Sequence, residues 1–205
     1  MIIIITPEKN VKKETAIINE LFQEGLELLH IRKPFMSLDE MKDFIWNINS
    51  EFHHQLALCS HYELVEQFEI SRLHFSETDR NHHLHTSFPD KIMSTSVHDI
   101  ESFNELDKNW EYSLVSPVFP SISKKGYGKN ATILNDIRKR SNADVKLVAL
   151  GGINEYHIHE VFESGADGVA LLGAIWEIDN PLNGFRQCRQ AVRQKENLST
   201  SFRKG

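Results

Sequence analysis

A single α/β domain, with eight parallel strands closed into a TIM-type (β/α)8 barrel, is the fold this sequence predicts. Three observations predict it. Short, β-branched apolar runs alternate with segments of helical period along the whole chain. There are eight such runs, and βα alternation implies a parallel sheet covered by helices. The last two runs each end in glycine, Gly151-Gly152 and Gly173, at the strands after which barrels place phosphate-binding loops. A doubly wound open sheet is the runner-up. Its glycine fingerprint belongs after the first strand, where this chain has Thr6-Pro7.

The elements follow in order. Ile2 to Ile5 is a continuous apolar run closed by Thr6-Pro7, the mark of a buried strand. Ile17, Ile18, Leu21 and Phe22 recur at helical spacing up to Gly25, a helix stop. Leu26 to Ile31 is strand-like. Ser37 can cap a helix whose Leu38, Met41, Phe44, Ile45 and Ile48 share one face. Gln55 to Cys59 reads as a strand, Tyr62 to Phe68 as a short helix, and Leu73 to Phe75 as a strand. A polar stretch, "SETDRNHHLHTSFPD", follows. Ile92 to Ser96 and Tyr112 to Val115 are strands, with a helix from Asp99 to Leu106 between them. Beyond the loop "SPVFPSISKKGYGKN" come a helix from Thr132 to Arg140, a strand from Leu147 to Leu150 and a helix from Glu155 to Ser164. Val169 to Leu172 is the last strand, and the last helix begins near Pro181. Residues 1–195 form the domain, and 196–205 are a polar tail.

Composition narrows the function. The chain has 205 residues, 40% hydrophobic and 25% charged, which suits one ordinary globular domain. A net charge of −6 argues against nucleic acid as a partner. Two cysteines, Cys59 and Cys188, build neither a disulfide framework nor a zinc quartet, in keeping with a reducing compartment. No apolar run has the length of a membrane span, and "MIIIITPEKN" lacks a basic signal region. A soluble, cytoplasmic protein with no membrane partner is expected. Glycine lets a backbone turn with positive φ and lets a ligand approach its N–H groups. Gly151-Gly152 and Gly173, at expected helix N-termini, therefore predict a phosphorylated small molecule as ligand.

The motifs resemble a family. "ALGGI" and "SGADGVALLGAI" are similar to the C-terminal part of the thiamin phosphate synthase and TenI (thiazole tautomerase) family of barrels. "EGLELLHIRKP" resembles its second strand, "STSVHDIESF" its Ser-x-His strand end, and "SPVFPSISKKGYG" its Pro-x-Tyr/Phe-Pro loop. The resemblance implies a thiamin-biosynthetic enzyme that binds a phosphorylated thiazole, and it suggests a homo-oligomer.

It also implies roles for residues. His30 and Arg32 end a strand on one side of it, and the guanidinium suits phosphate or pyrophosphate in bidentate fashion. A salt bridge to a barrel carboxylate is the plainer alternative for Arg32. Ser121, Ser123 and Lys124 match residues that contact pyrophosphate in the synthases. Ser96, Gly151, Gly152, Leu172 and Gly173 complete the substrate contacts. His98, just past a strand end, is the catalytic candidate, because a neutral imidazole titrates near working pH. His82, His83 and His85 lack the partners of a defined metal site and read as a solvated loop. Cys59 reads as a small core or rim residue.

The departures fall on one half of the site. In "LALCSHYEL" Cys59 and Ser60 stand where synthases carry Asn-Asp, whose Asp holds Mg²⁺ together with a second Asp, matched here by Asp79. Pro34 occupies the place of a lysine, and Lys33, one step early, points elsewhere. "HIR" is the tautomerase form of a motif in which synthases carry glutamine. A TenI-like tautomerase without cofactor is therefore favoured. A Mg²⁺-dependent synthase joining pyrimidine diphosphate to thiazole phosphate, with Asp79 as metal ligand, is the first alternative. A non-catalytic phosphate-binding relative is the second.

Overall fold

The computed structural model describes residues 1–120 and 133–202. Its strands are β1 (Ile2–Ile5), β2 (Leu28–Ile31), β3 (Leu56–Leu58), β4 (Arg72–Phe75), β5 (Ile92–Val97), β6 (Trp110–Val115), β7 (Lys146–Leu150) and β8 (Gly168–Leu171). All are parallel and close in sequence order, β8 pairing with β1. Closure rules out the open doubly wound sheet. Strand periodicity splits each strand between two apolar layers. Ile3, Ile5, Leu28, Ala57, Tyr112, Leu114, Val148 and Ala170 fill the barrel interior. Their neighbours, such as Ile2, Ile4, Leu29, Ile31 and Ala149, face outward to a larger core shared with the helices.

The helices are α1 (Glu14–Gln23), α2 (Leu38–Trp46), α3 (Glu77–Asn81), α4 (Ile100–Asn104), α5 (Ile133–Asp136), α6 (Ile158–Glu163), α7 (Gly173–Trp176) and α8 (Pro181–Phe202). Ser37 caps α2 as expected, in a full capping box with Glu40. Asp99 caps α4 through the Ser102 amide, 2.6 Å away. α8 packs on α1, α6 and α7, covering the barrel where its first and last strands meet.

The structure differs from the sequence reading in four places, three of them with a local cause. The helix expected over 62–68 is only a 3-10 turn at Tyr62–Leu64, because the chain turns at Glu69 with positive φ. The polar stretch after β4 contains α3, nucleated by a capping box between Ser76 and Asp79. α6 starts at Ile158, since Asn154 folds back to accept from the Tyr156 amide and makes 155–157 a turn. Gly152 is thus not at a helix N-terminus, whereas Gly173 does open a short helix. Finally, α8 continues through residues 196–202 of the segment read as a tail. Among the described residues no helix is long and apolar enough to cross a membrane.

Candidate active site

A cavity of about 590 Å³ opens at the C-terminal ends of the strands, where barrels carry their chemistry. Its lining follows from strand alternation: each strand contributes its last inward-facing side chain. Ile5, His30, Cys59, His74, Ser96, Leu114, Leu150 and Ala170 or Leu172 meet there. The cavity is therefore two-sided. β2 to β5 supply a polar wall, and β6, β7, β8 and β1 an apolar one bordered by Gly151, Gly152 and Gly173.

The polar wall rests on a buried hydrogen-bonded network. His30 is fully buried, its Nε2 2.6 Å from the Tyr112 hydroxyl and its Nδ1 3.9 Å from Cys59 Sγ. His74 lies against it, ring centroids 4.6 Å apart. The Nδ1 of His74 is 2.9 Å from Ser94 Oγ, and its Nε2 is 2.9 Å from Ser96 Oγ. Burial holds both imidazoles neutral. It lowers His74 to about 3, with the Arg32 charge adding to the effect. His30 goes well below the usual histidine value through burial, then through His74 and Arg72. Burial also pushes the Cys59 thiol up to about 12, so this cysteine is no nucleophile near neutral pH.

The rim holds the residues singled out in the sequence. His98 follows β5 on the same side as Ser96 and lines the cavity, its Nδ1 3.0 Å from the Ser116 carbonyl. A carbonyl can only accept, so Nδ1 carries a proton, and in the neutral ring Nε2 keeps its lone pair. Arg32 lines the cavity and also pairs with Glu8 at 2.5 Å, so the plainer alternative is realised beside the binding position. Lys33 does point elsewhere: it is fully buried, 2.7 Å from the Glu14 carboxylate, with the Phe44 ring beneath it. Asp79 Oδ2 accepts from the Ser76 amide, from Ser76 Oγ at 2.6 Å and from Tyr62. Ser60 Oγ borders the same cavity and is buried without a hydrogen-bond partner. Ser121, Ser123 and Lys124 lie outside the described residues.

The glycine turns have a packing cause. Gly151 and Gly152 have φ of 108° and 65°, and a Cβ on Gly152 would sit 2.3 Å from the Pro120 carbonyl oxygen. The loop after β6 lies directly on them, its Val118 and Phe119 amides bonding to the carbonyls of Leu150 and Gly151. Phe119 then stacks on His157 at 4.2 Å. Close approach of another backbone demands the bare positions. His82, His83 and His85 form no metal-binding group with the other described residues. His85 instead packs on Trp110 at 4.8 Å.

His74, Ser94 and Tyr112 belong to the site's support and were not singled out from sequence. The signal was present only in part. In "RLHF" the polar residues fall at every second position and in "STSV" the serines do, with Thr95 between them, but which side faces the interior emerges only when the sheet closes.

Fold and cavity together define a TIM-barrel protein whose site lies at the C-terminal mouth, walled by neutral histidines and serines on one side and by glycine turns on the other. The chain belongs to the thiamine monophosphate synthase (TMP-TENI) family, whose model matches residues 2–175. It is similar to a thiamine-phosphate synthase of Streptococcus agalactiae serotype Ia, 26% identical over 193 residues, 88% of this chain and 85% of that one. It also resembles one of Listeria welshimeri, 35% identical over 135 residues, 62% of this chain and 64% of that one. Among solved structures, a thiamine phosphate pyrophosphorylase from Pyrococcus furiosus superposes with a TM-score of 0.80 at 20% identity, covering 95% of this chain and 96% of its own. Another, from Bacteroides thetaiotaomicron, gives 0.74 at 23% identity, covering 94% and 97%. At those identities the structures speak for the fold alone.

Proposed function

We propose that this chain is a thiamin-biosynthetic enzyme of the cytoplasm that holds a thiazole phosphate in the barrel mouth and moves a proton on the thiazole ring. The tautomer of His98 carries the reading. Its Nε2 is a bare base at a strand end, while Nδ1–H on the Ser116 carbonyl stabilises the imidazolium formed when that base takes a proton. Returning the proton to another ring position restores the neutral imidazole, so the step needs no oxidant, metal or second substrate. The phosphate would lie against the apolar wall, on backbone N–H groups of the turns at Gly152 and Gly173. Arg32 offers a cation at the opposite side, with Glu8 as its present partner.

The synthase reading is the second, and the names of the relatives favour it. There Mg²⁺ would neutralise a diphosphate leaving group. The donor set suits a cation that arrives with its substrate: Asp79 Oδ1 lies outside the cap network, and the unpartnered Ser60 hydroxyl adds a neutral oxygen. Mg²⁺ commonly takes one or two carboxylates and completes its shell with water and phosphate oxygens. Lysine support from β2 is missing, because Lys33 is committed to Glu14.

Purified protein assayed separately for thiazole aromatisation and for Mg²⁺-dependent thiamin phosphate formation separates the readings. Aromatisation without metal supports the first, and robust metal-dependent coupling replaces it with the second. Activity in neither, with thiazole phosphate still bound, leaves a binding protein. A crystal soaked in phosphate should show the anion at the Gly152 and Gly173 turns, and side chains filling that space would overturn the placement.

A further inference from the structure

The reaction as proposed does not use His74, yet this ring is buried and hydrogen-bonded at both nitrogens beneath the cavity. Ser94 Oγ lies 3.2 Å from the Leu73 carbonyl oxygen, which can only accept, and we assign the single Ser94 hydroxyl proton to it in preference to His74 Nδ1. Ser94 then meets His74 as an acceptor, which puts the ring proton on Nδ1. A neutral imidazole has one proton, so Nε2 is bare. Ser96 Oγ, 2.9 Å from Nε2, must donate its own proton inward.

We propose that His74 is a positioning residue that locks the Ser96 hydroxyl with its proton pointing away from the cavity, so that Ser96 offers a ligand only lone pairs. Ser96 lies near the end of β5 and His98 follows two residues on, both lining the cavity, and in its neutral form His98 with Nδ1–H on the Ser116 carbonyl leaves Nε2 bare as well. The polar wall thus presents two adjacent acceptors. The part of the ligand lying there carries an N–H or O–H donor or an acidic C–H. A carboxylate or carbonyl oxygen at that point is rejected, since it would face lone pairs with no donor. This rests on the reading that the cavity is the substrate site, but not on which of the two reactions runs there. His74 differs from a plain packing residue because its effect passes through a single atom, Ser96 Oγ.

Two measurements test it. Nitrogen-15 NMR of histidine-labelled wild-type protein, between pH 6 and 8 on the order of the usual histidine range, should show, beside the Nδ1–H signals of rings such as His98, one that belongs to His74. Substituting His74→Gln should remove that signal. A His74 signal with the proton on Nε2 overturns the proposal, whatever the enzyme catalyses. The second is a double-mutant cycle on kcat/KM in whichever assay the wild type passes. His74→Phe should lower kcat/KM about 10-fold or more, from one charge-free hydrogen bond lost and an hydroxyl set free to turn. The same change in a Ser96→Ala background should have little effect, because the group it orients is gone. His74→Gln, whose amide oxygen can accept from Ser96, should restore most of the loss. Equal losses in both backgrounds would reduce His74 to a packing role. If His74→Phe does not fold, as judged by its thermal transition, the NMR result and the Gln variant decide alone.

Discussion

His98 and Ser60 carry the opposed readings of the site, one as a base and the other as a missing carboxylate. His98→Asn should lower aromatisation by about 10²–10⁴-fold, the usual worth of a positioned acid or base, while thiazole phosphate binds near wild type. Isothermal titration beside a turnover assay checks both halves, and full activity in the variant would pass the proton to another group. Ser60→Asp places a second carboxylate in the cavity that Asp79 lines, where an unpartnered hydroxyl now lies. It should tighten Mg²⁺ binding in the presence of inorganic pyrophosphate, and an unchanged titration would remove Ser60 from any cation site. At this scale the sequence was informative about residue types at strand ends: His30, Arg32, Ser96 and His98 all line the cavity. It was silent about their partners. Glu8 beside Arg32 and Ser116 beside His98 come from neighbouring loops and strands, and pairing across a barrel leaves no mark in local sequence.

The loop after β7 shows what one element asks of another. Gly152 has room for no side chain, because the Pro120 carbonyl would lie 2.3 Å from its Cβ and backbone cannot swing away as a flexible side chain can. Gly152→Ala should therefore cost about 1–3 kcal/mol from strain and overpacking together, read as a lowered urea midpoint. It should also loosen phosphate binding, since the 117–120 loop must shift to make space. Wild-type stability in this variant would mean that the two loops do not pack as described. The paired glycines were legible as a turn at a strand end. Their packing cause was not, because the loop that lies on them is about thirty residues earlier in the chain. A similar long-range tie, Lys33 with Glu14, binds the ends of the loops after β1 and β2 and commits the Lys33 ammonium to that carboxylate.

Across the whole molecule, the buried histidines make stability depend on pH. His30 and His74 are both lowered in the folded barrel, whereas in the unfolded chain they titrate near 6.5. Below that value the unfolded state binds protons that the native state refuses. Stability is thus fully present above pH 6.5 and declines as pH falls towards about 3, the value for His74. Each histidine contributes a slope of roughly 1.4 kcal/mol per pH unit while only its unfolded form is charged. Urea unfolding at pH 8, 6 and 5 should give a level value at the top and a falling one below. Replacing His74 by glutamine should reduce the slope by about half if the two rings are the main source between pH 6 and 5. A flat profile across that interval would show that one or both rings accept protons in the native state.

Sequence alone determined the barrel, because its signal is periodic and local: β-branched runs of strand length, helical spacing between them, and glycines at the last two turns. It also determined the polar residues at the mouth, since a residue just beyond a barrel strand has few other places to go. Tertiary structure alone decided which of those residues are free to act. Lys33 is consumed by a buried carboxylate, Arg32 is held by Glu8, and Asp79 is half committed to capping α3. It also decided the direction of protons at the site. Ser94, His74 and Ser96 come from neighbouring strands, and their order of donation is set by the Leu73 carbonyl at 3.2 Å. Hydrogen-bond direction depends on what lies within about 3 Å of each atom, and in a closed parallel barrel those neighbours are distant in sequence.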